Sequence, residues 1–242
     1  SGIPSFTAWL IIFSAIATLP SQLSGIPLPS IVRPITEAPY SLTTGNIASR
    51  DFASPFTEFT RGFPSITVKA EIKAGADVNT IWDKRKTPLM YAMYSKNLDV
   101  IKFLVEKGAD VKLKTEKGGT ALTAAAGVGD TVICAFLLSK GAELEVTDRE
   151  GKTPLIIAVH NKHKDLTKYF IDKKANVNAQ EPNGWSALMF AAMHGETEIA
   201  KMLIDAGADV NIKTKDGETP LKRAEMIDKA GLGKTKDVIE IL

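Results

Sequence analysis

Apolar residues recur along most of this chain at a fixed step. Val100, Ile101, Leu104 and Val105 are followed 33 residues later by Ile133, Cys134, Leu137 and Leu138. The same slots return as Leu166, Phe170 and Ile171, and again as Ile199, Leu203 and Ile204. Spacing of i, i+1, i+4, i+5 is one face of a helix packed against neighbours. Cys134 stands in a Val/Ile/Leu slot and is read as a core residue.

Two further markers keep the same step. Gly75, Gly108, Gly141, Lys174 and Gly207 open "GADVN"-like runs, and Thr87, Thr120, Thr153, Ser186 and Thr219 open "TPL"-like runs. A hydroxyl residue followed by Pro is an N-cap and first-turn pair: the hydroxyl takes an orphan N–H, and proline loses nothing there. Each pair predicts the start of a short helix. The glycine closing each unit suits a left-handed residue just past a helix end. Between closing glycine and next cap the chain is turn-like, with Gly118, Gly151, Gly184 and Gly217 at equivalent places, as hairpin turns need. One unit is therefore a helix, a second helix and a projecting β-turn.

This wording, with "KTPL", "LIDAGADVN", "DGETPL" and a 33-residue period, resembles the ankyrin repeat over residues 66–242. Four complete units are expected, Thr87–Gly119, Thr120–Lys152, Thr153–Trp185 and Ser186–Glu218, with a partial unit at each end. Lys96 and Lys162 replace an inter-helix glycine, Lys174 a closing one and Arg85 a fingertip one. Held at positive φ, Lys174 costs about 1 kcal/mol. The expected fold is all-α, a helix-helix-β-turn solenoid spanning 61–242, with an irregular, apolar N-terminal arm over 1–60.

Composition divides the chain at the same place. Residues 1–68 hold no lysine and eight of the twelve prolines, and all 24 lysines lie between Lys69 and Lys236. Residues 1–32 carry no charge, and Ala8–Leu19 is an apolar run followed by a Pro/Ser/Thr-rich stretch. Twelve helical residues reach about 18 Å, short of the roughly 30 Å hydrocarbon layer. Three readings of residues 6–23 stay open: an arm docked on protein, a single membrane anchor or attachment to a membrane complex, and a processed targeting remnant. An intracellular or organellar compartment is favoured. Thr67 and Glu71 put polar residues at the start of the stack, whereas "VIEIL" ends it apolar, so that last face is expected to be covered by a partner or by further chain.

Candidate chemistry is sparse. "GLGKT" at 231–235 imitates a phosphate loop, but position 228 holds Asp228 where that loop needs glycine, and a helix rather than a strand precedes it. It reads as the long inter-helix turn of the last unit. His160 and His194 occupy neighbouring frames, yet no carboxylate or cysteine stands in the matching slots to complete a zinc site. No Ser, His and Asp fall in a spacing that demands catalysis. A net charge of +2, with acids interleaved among the lysines, gives no reason to expect nucleic acid. No cofactor, metal or catalytic residue is assigned.

The resemblance implies a protein-binding module that grips its partner with the hairpin tips and a concave wall of first helices. Mapped here, the tips offer Trp82, Lys84, Lys86, Glu116, Arg149, Lys152, Trp185 and Lys215. The helix ends offer Tyr94, Ser95, Val128, His160, Asn161, Met193 and His194. Trp185 carries an aromatic where other units have Lys, Gly or Glu; it is read either as a hot spot or as folding back on its own hairpin. The function expected is a non-catalytic scaffold, with a structural subunit of a membrane-associated complex as the alternative.

Overall fold

The computed structural model describes residues 69, 72–73, 75–81, 86–116 and 118–242. Trp82, Lys84 and Arg85, the arm over 1–60, its proposed boundary and the apolar run 6–23 lie outside the described residues, as do Thr67 and Glu71. Among the described residues no helix is long and apolar enough to cross a membrane.

Ten helices are described, in five pairs. They are α1 (Pro88–Tyr94) and α2 (Leu98–Glu106), α3 (Ala121–Val128) and α4 (Thr131–Ser139), α5 (Pro154–His160) and α6 (Lys164–Asp172). The last two pairs are α7 (Ala187–His194) with α8 (Thr197–Asp205), and α9 (Pro220–Lys229) with α10 (Lys236–Ile241). Every first helix begins as the sequence predicts. The hydroxyls of Thr87, Thr120, Thr153, Ser186 and Thr219 accept the N–H three residues on, at 3.2–3.4 Å.

The turn between paired helices needs one left-handed residue. Gly129 and Gly195 supply it in two units, and Lys96 and Lys162 are forced into it at φ 51° and 60°. Lys174, in place of a closing glycine, sits at φ 66°. Each stores about 1 kcal/mol of backbone strain that glycine would avoid.

The hairpins are equally regular. The N–H of Thr115, Asp148, Glu181 and Thr214 donates to the carbonyl four residues on at 3.0 Å, while the carbonyls of these same four accept from the fingertip glycines. Neighbouring hairpins lie close. A Cβ on Gly184 would come within 2.8 Å of Thr214 Cα, so glycine is required there for contact as well as for φ.

Each first helix packs on the next, from α1 through α9, and α4, α6, α8 and α10 pack in succession behind them. Ala92, Ala125, Ala158, Ala191 and Ala224 share one register position, and all five are wholly buried. No larger side chain fits where first helices meet this closely. Asn79 and Asn178, which end their "GADVN" runs, tie units together: Asn178 Nδ2 donates to Gly207 O and its Oδ1 accepts from Asp209 N–H at 2.8 Å. Asn79 does the same to Gly108 and Asp110.

The last unit differs. Met90, Thr123, Ile156 and Met189 are buried at one register position, where α9 has exposed Lys222. Glu225 likewise stands where Met93, Ala126, Val159 and Ala192 are buried. The apolar "VIEIL" belongs to the outer-layer helix α10, while α9 is polar at these two positions.

Candidate partner-binding surface

Each first helix buries one side and leaves the other to a face shared by all five units. Four register positions line that face: the residue before the cap, and the fourth, seventh and eighth residues after it. Their identities change from unit to unit, except that Met193 is followed by Met226. Unit one presents Lys86, Tyr91, Tyr94 and Ser95; unit two only Gly119, Ala124, Gly127 and Val128. Units three and four place Lys152, Ile157, His160 and Asn161, then Trp185, Phe190, Met193 and His194 there, with Ile157 and Phe190 themselves buried. Unit five adds Glu218, Arg223, Met226 and Ile227.

Cations on this face rest on rings. Lys86 Nζ sits 4.1 Å from the centroid of Tyr94 and 5.4 Å from that of Tyr91. Lys152 Nζ lies 5.3 Å from Phe190, and the Arg223 guanidinium 4.4 Å from Trp185. Ring faces favour such cations by about 0.5–2 kcal/mol and fix their direction. Tyr94 itself is 50% exposed.

The expected contact residues divide into two groups. Tyr94, Glu116, Arg149, Asn161 and Lys215 are exposed. Asn161 Nδ2 reaches back to Gly127 O, and Lys215 N–H bonds the hairpin of the previous unit at Asn183 O. Lys152, by contrast, keeps only 15% of its side chain exposed; Glu150 takes its ammonium at 3.0 Å and is shared with Arg149. These two cations hold the Glu150 carboxyl below its ordinary range. Trp185 is half-buried, wedged between Phe190 at 5.1 Å and Arg223. It reaches over its own helix and across to the next unit rather than standing free at the tip.

His160 and His194 do come together, with ring centroids 5.6 Å apart, and His160 meets Phe190 edge-on at 5.0 Å. Burial pushes both imidazole pKa values down, helped by Lys152 at His160 and by Lys162 and His160 at His194. His194 Nε2 is sealed from solvent with no hydrogen-bond partner. Among the described residues no three His, Cys, Asp or Glu side chains gather as a metal site would require.

The 231–235 loop lies between α9 and α10, as its sequence context predicts. A Cβ on Gly195 would come within 2.4 Å of Lys234 O, so the loop packs back onto the inter-helix turn of unit four. Thr235, next in the chain, is fully buried.

Arg223 and Met226, which also line this face, were not among the expected contact residues. The signal for them was available: Arg223 falls in the register of Tyr91, Ala124, Ile157 and Phe190, and a charge in that series marks an outward position.

A family model described as ankyrin repeats (3 copies) matches residues 61–115, 89–181, 122–214 and 166–228, together more than half of the chain. No curated protein matches the sequence.

Proposed function

Because the chain belongs to the ankyrin-repeat family, whose repeats are in general protein–protein interaction modules, we propose that it is a non-catalytic scaffold that holds a partner protein on its first-helix face and hairpin row. One observation carries this reading. Two buried register positions repeat unchanged, Leu89, Leu122, Leu155 and Leu188 at one and Ala92, Ala125, Ala158, Ala191 and Ala224 at the other, whereas the seventh residue after the cap runs Tyr94, Gly127, His160, Met193, Met226. A repeating scaffold whose outward positions diverge while its inward positions stay fixed has a surface tuned for something outside itself. Large side chains held at those positions by cation–ring and ring–ring contacts provide the rigid anchors that dominate interfaces.

Placing a photo-crosslinking amino acid at Tyr94 or Met193 in the full-length protein tests the assignment, with Val132 on α4 as the control; it is 63% exposed but lies in the outer layer. The scaffold reading expects one discrete adduct from Tyr94 and Met193 and none from Val132. Adducts from Val132 alone would move the partner to the outer layer and overturn it.

A further inference from the structure

Two glycines on the first-helix face have no backbone or packing reason to be glycine. Gly119 precedes the cap of α3 and Gly127 lies in its last turn, and neither has the positive φ that the turn glycines share. A Cβ on Gly119 would meet its nearest neighbour at 3.6 Å, and one on Gly127 at 4.0 Å, both ordinary contact distances. The same two positions carry Lys86 and Tyr94 in unit one, and Lys152 and His160 in unit three. Glycine inside a helix weakens it, so Gly127 lowers the stability of α3 with no packing gain in return. A local rule broken without such a gain marks a functional position.

With Ala124 and Val128, these glycines leave unit two as a gap between taller neighbours. Neither flanking unit fills it. Lys86 stays over Tyr91 and Tyr94 of its own unit, while Lys152 and His160 lean toward Phe190 of unit four. Asn161 Nδ2 and His163 Nε2 bound the gap where they reach Gly127 O. Near Gly119 a hydroxyl is left unused. The hairpin counterparts of Thr115, namely Asp148, Glu181 and Thr214, each accept with a side-chain oxygen from the N–H four residues on, at 2.9–3.1 Å. Thr115 is only 5% exposed, yet its Oγ1 has no hydrogen-bond partner. That oxygen lies 3.6 Å from where a Cβ on Gly119 would stand, so it borders the space the missing side chain leaves.

We infer that the gap at unit two receives one tyrosine side chain of the partner protein, its ring over Ala124 and its hydroxyl toward Thr115. This inference rests on the first-helix face being the partner surface, and names what unit two takes from it. First helices stand about 8–10 Å apart, so a gap one unit wide, with side chains on either side, holds a single bulky side chain. Charge selects among such side chains. Lys86 on the flank disfavours an arginine or lysine guest, whereas a ring face attracts a cation. Elsewhere on this face Lys152 and Arg223 already rest on rings. The unused Thr115 hydroxyl then selects tyrosine over phenylalanine.

Amide resonances of the isotope-labelled whole chain, titrated with p-cresol, toluene and butylguanidinium, test the assignment. These probes stand for the side chains of tyrosine, phenylalanine and arginine. p-Cresol should shift the amides of Thr115, Gly119 and Gly127 saturably, with a dissociation constant on the order of millimolar. It should bind about threefold or more tighter than toluene, and butylguanidinium should leave those amides unmoved. Thr115→Val should bring p-cresol down to the toluene value and leave toluene unchanged. Gly127→Leu should fill the gap and abolish the p-cresol shift at Gly119, while its thermal midpoint rises because a helix glycine has been replaced. The inference is overturned if p-cresol binds no better than toluene or butylguanidinium, or if its shifts survive Gly127→Leu. If p-cresol gives no response while crosslinks from Tyr94 persist, unit two is not the pocket and the scaffold reading stands; if those crosslinks are also absent, both fall.

Discussion

At the scale of single residues, the face joins groups whose chemistry changes when they are covered. His160 and His194 are the clearest case. Burial is the main force lowering both pKa values from 6.5; Lys152 lowers His160 further while Glu150 and Asp148 oppose it. At His194, Lys162 and His160 add to burial and Glu196 opposes. Between the lowered folded values and 6.5 the unfolded chain therefore holds more protons than the folded one. Stability from this pair is complete above that window, falls as pH drops through it, and levels off beneath it. Urea midpoints measured from about pH 7.5 down to about pH 5 should decline. A His160→Gln, His194→Gln variant should show a visibly flatter profile. An unchanged slope would mean that the rings are hydrated and that burial is not what shifts them. Cys134 contrasts with the histidines. Burial pushes its thiol up to about 12, which suits an inert core residue in an apolar slot.

At the scale of elements, what was legible in the sequence and what was not have different physical origins. Caps, left-handed turns and hairpin glycines are local: Thr153 bonds a backbone group three residues away, and nothing distant can change that assignment. Contacts between units are set by register over 29 to 36 residues, and there single-residue reasoning stops. Lys152 looks like a free tip cation until Phe190 and Glu150 cover it, and Trp185 like a projecting hot spot until Arg223 closes over it. The asparagine link was within reach but unread. Asn79 and Asn178 each supply an amide with a donor and an acceptor to the following unit, whereas Lys112 in the same register supplies neither. Asn178→Ala should therefore cost about 1–2 kcal/mol in urea unfolding, as two inter-unit hydrogen bonds are lost. Lys112→Ala should change stability by less than about 0.5 kcal/mol. Lys112→Asn should gain about 1 kcal/mol by making the missing link to Gly141 and Glu143. Equal costs for the two alanine variants would show that water replaces the amide without loss.

At the scale of the stack, stability is a sum of units and of the interfaces between them, so the nature of an end decides whether it can face water. Register identifies which residues of a first helix look toward the next unit. Met189 and Ala192 are buried on α7, and the corresponding Lys222 and Glu225 on α9 are the places where polarity returns. Those two positions therefore point along the stack, and α9 covers its predecessor while carrying charges on its own far side. Removing residues 219–242 should expose Met189 together with the apolar side of α8. The shortened chain should bind an apolar dye and self-associate in sedimentation velocity, because a continuous apolar end surface is an association site. Introducing Met189→Lys and Ala192→Glu into that shortened chain transplants the polar end by one unit, and should return it to a monomer that no longer binds the dye. If the transplant leaves association unchanged, the exposed side of α8 is what sticks, and closure of the stack depends on α10 rather than on the two charges of α9.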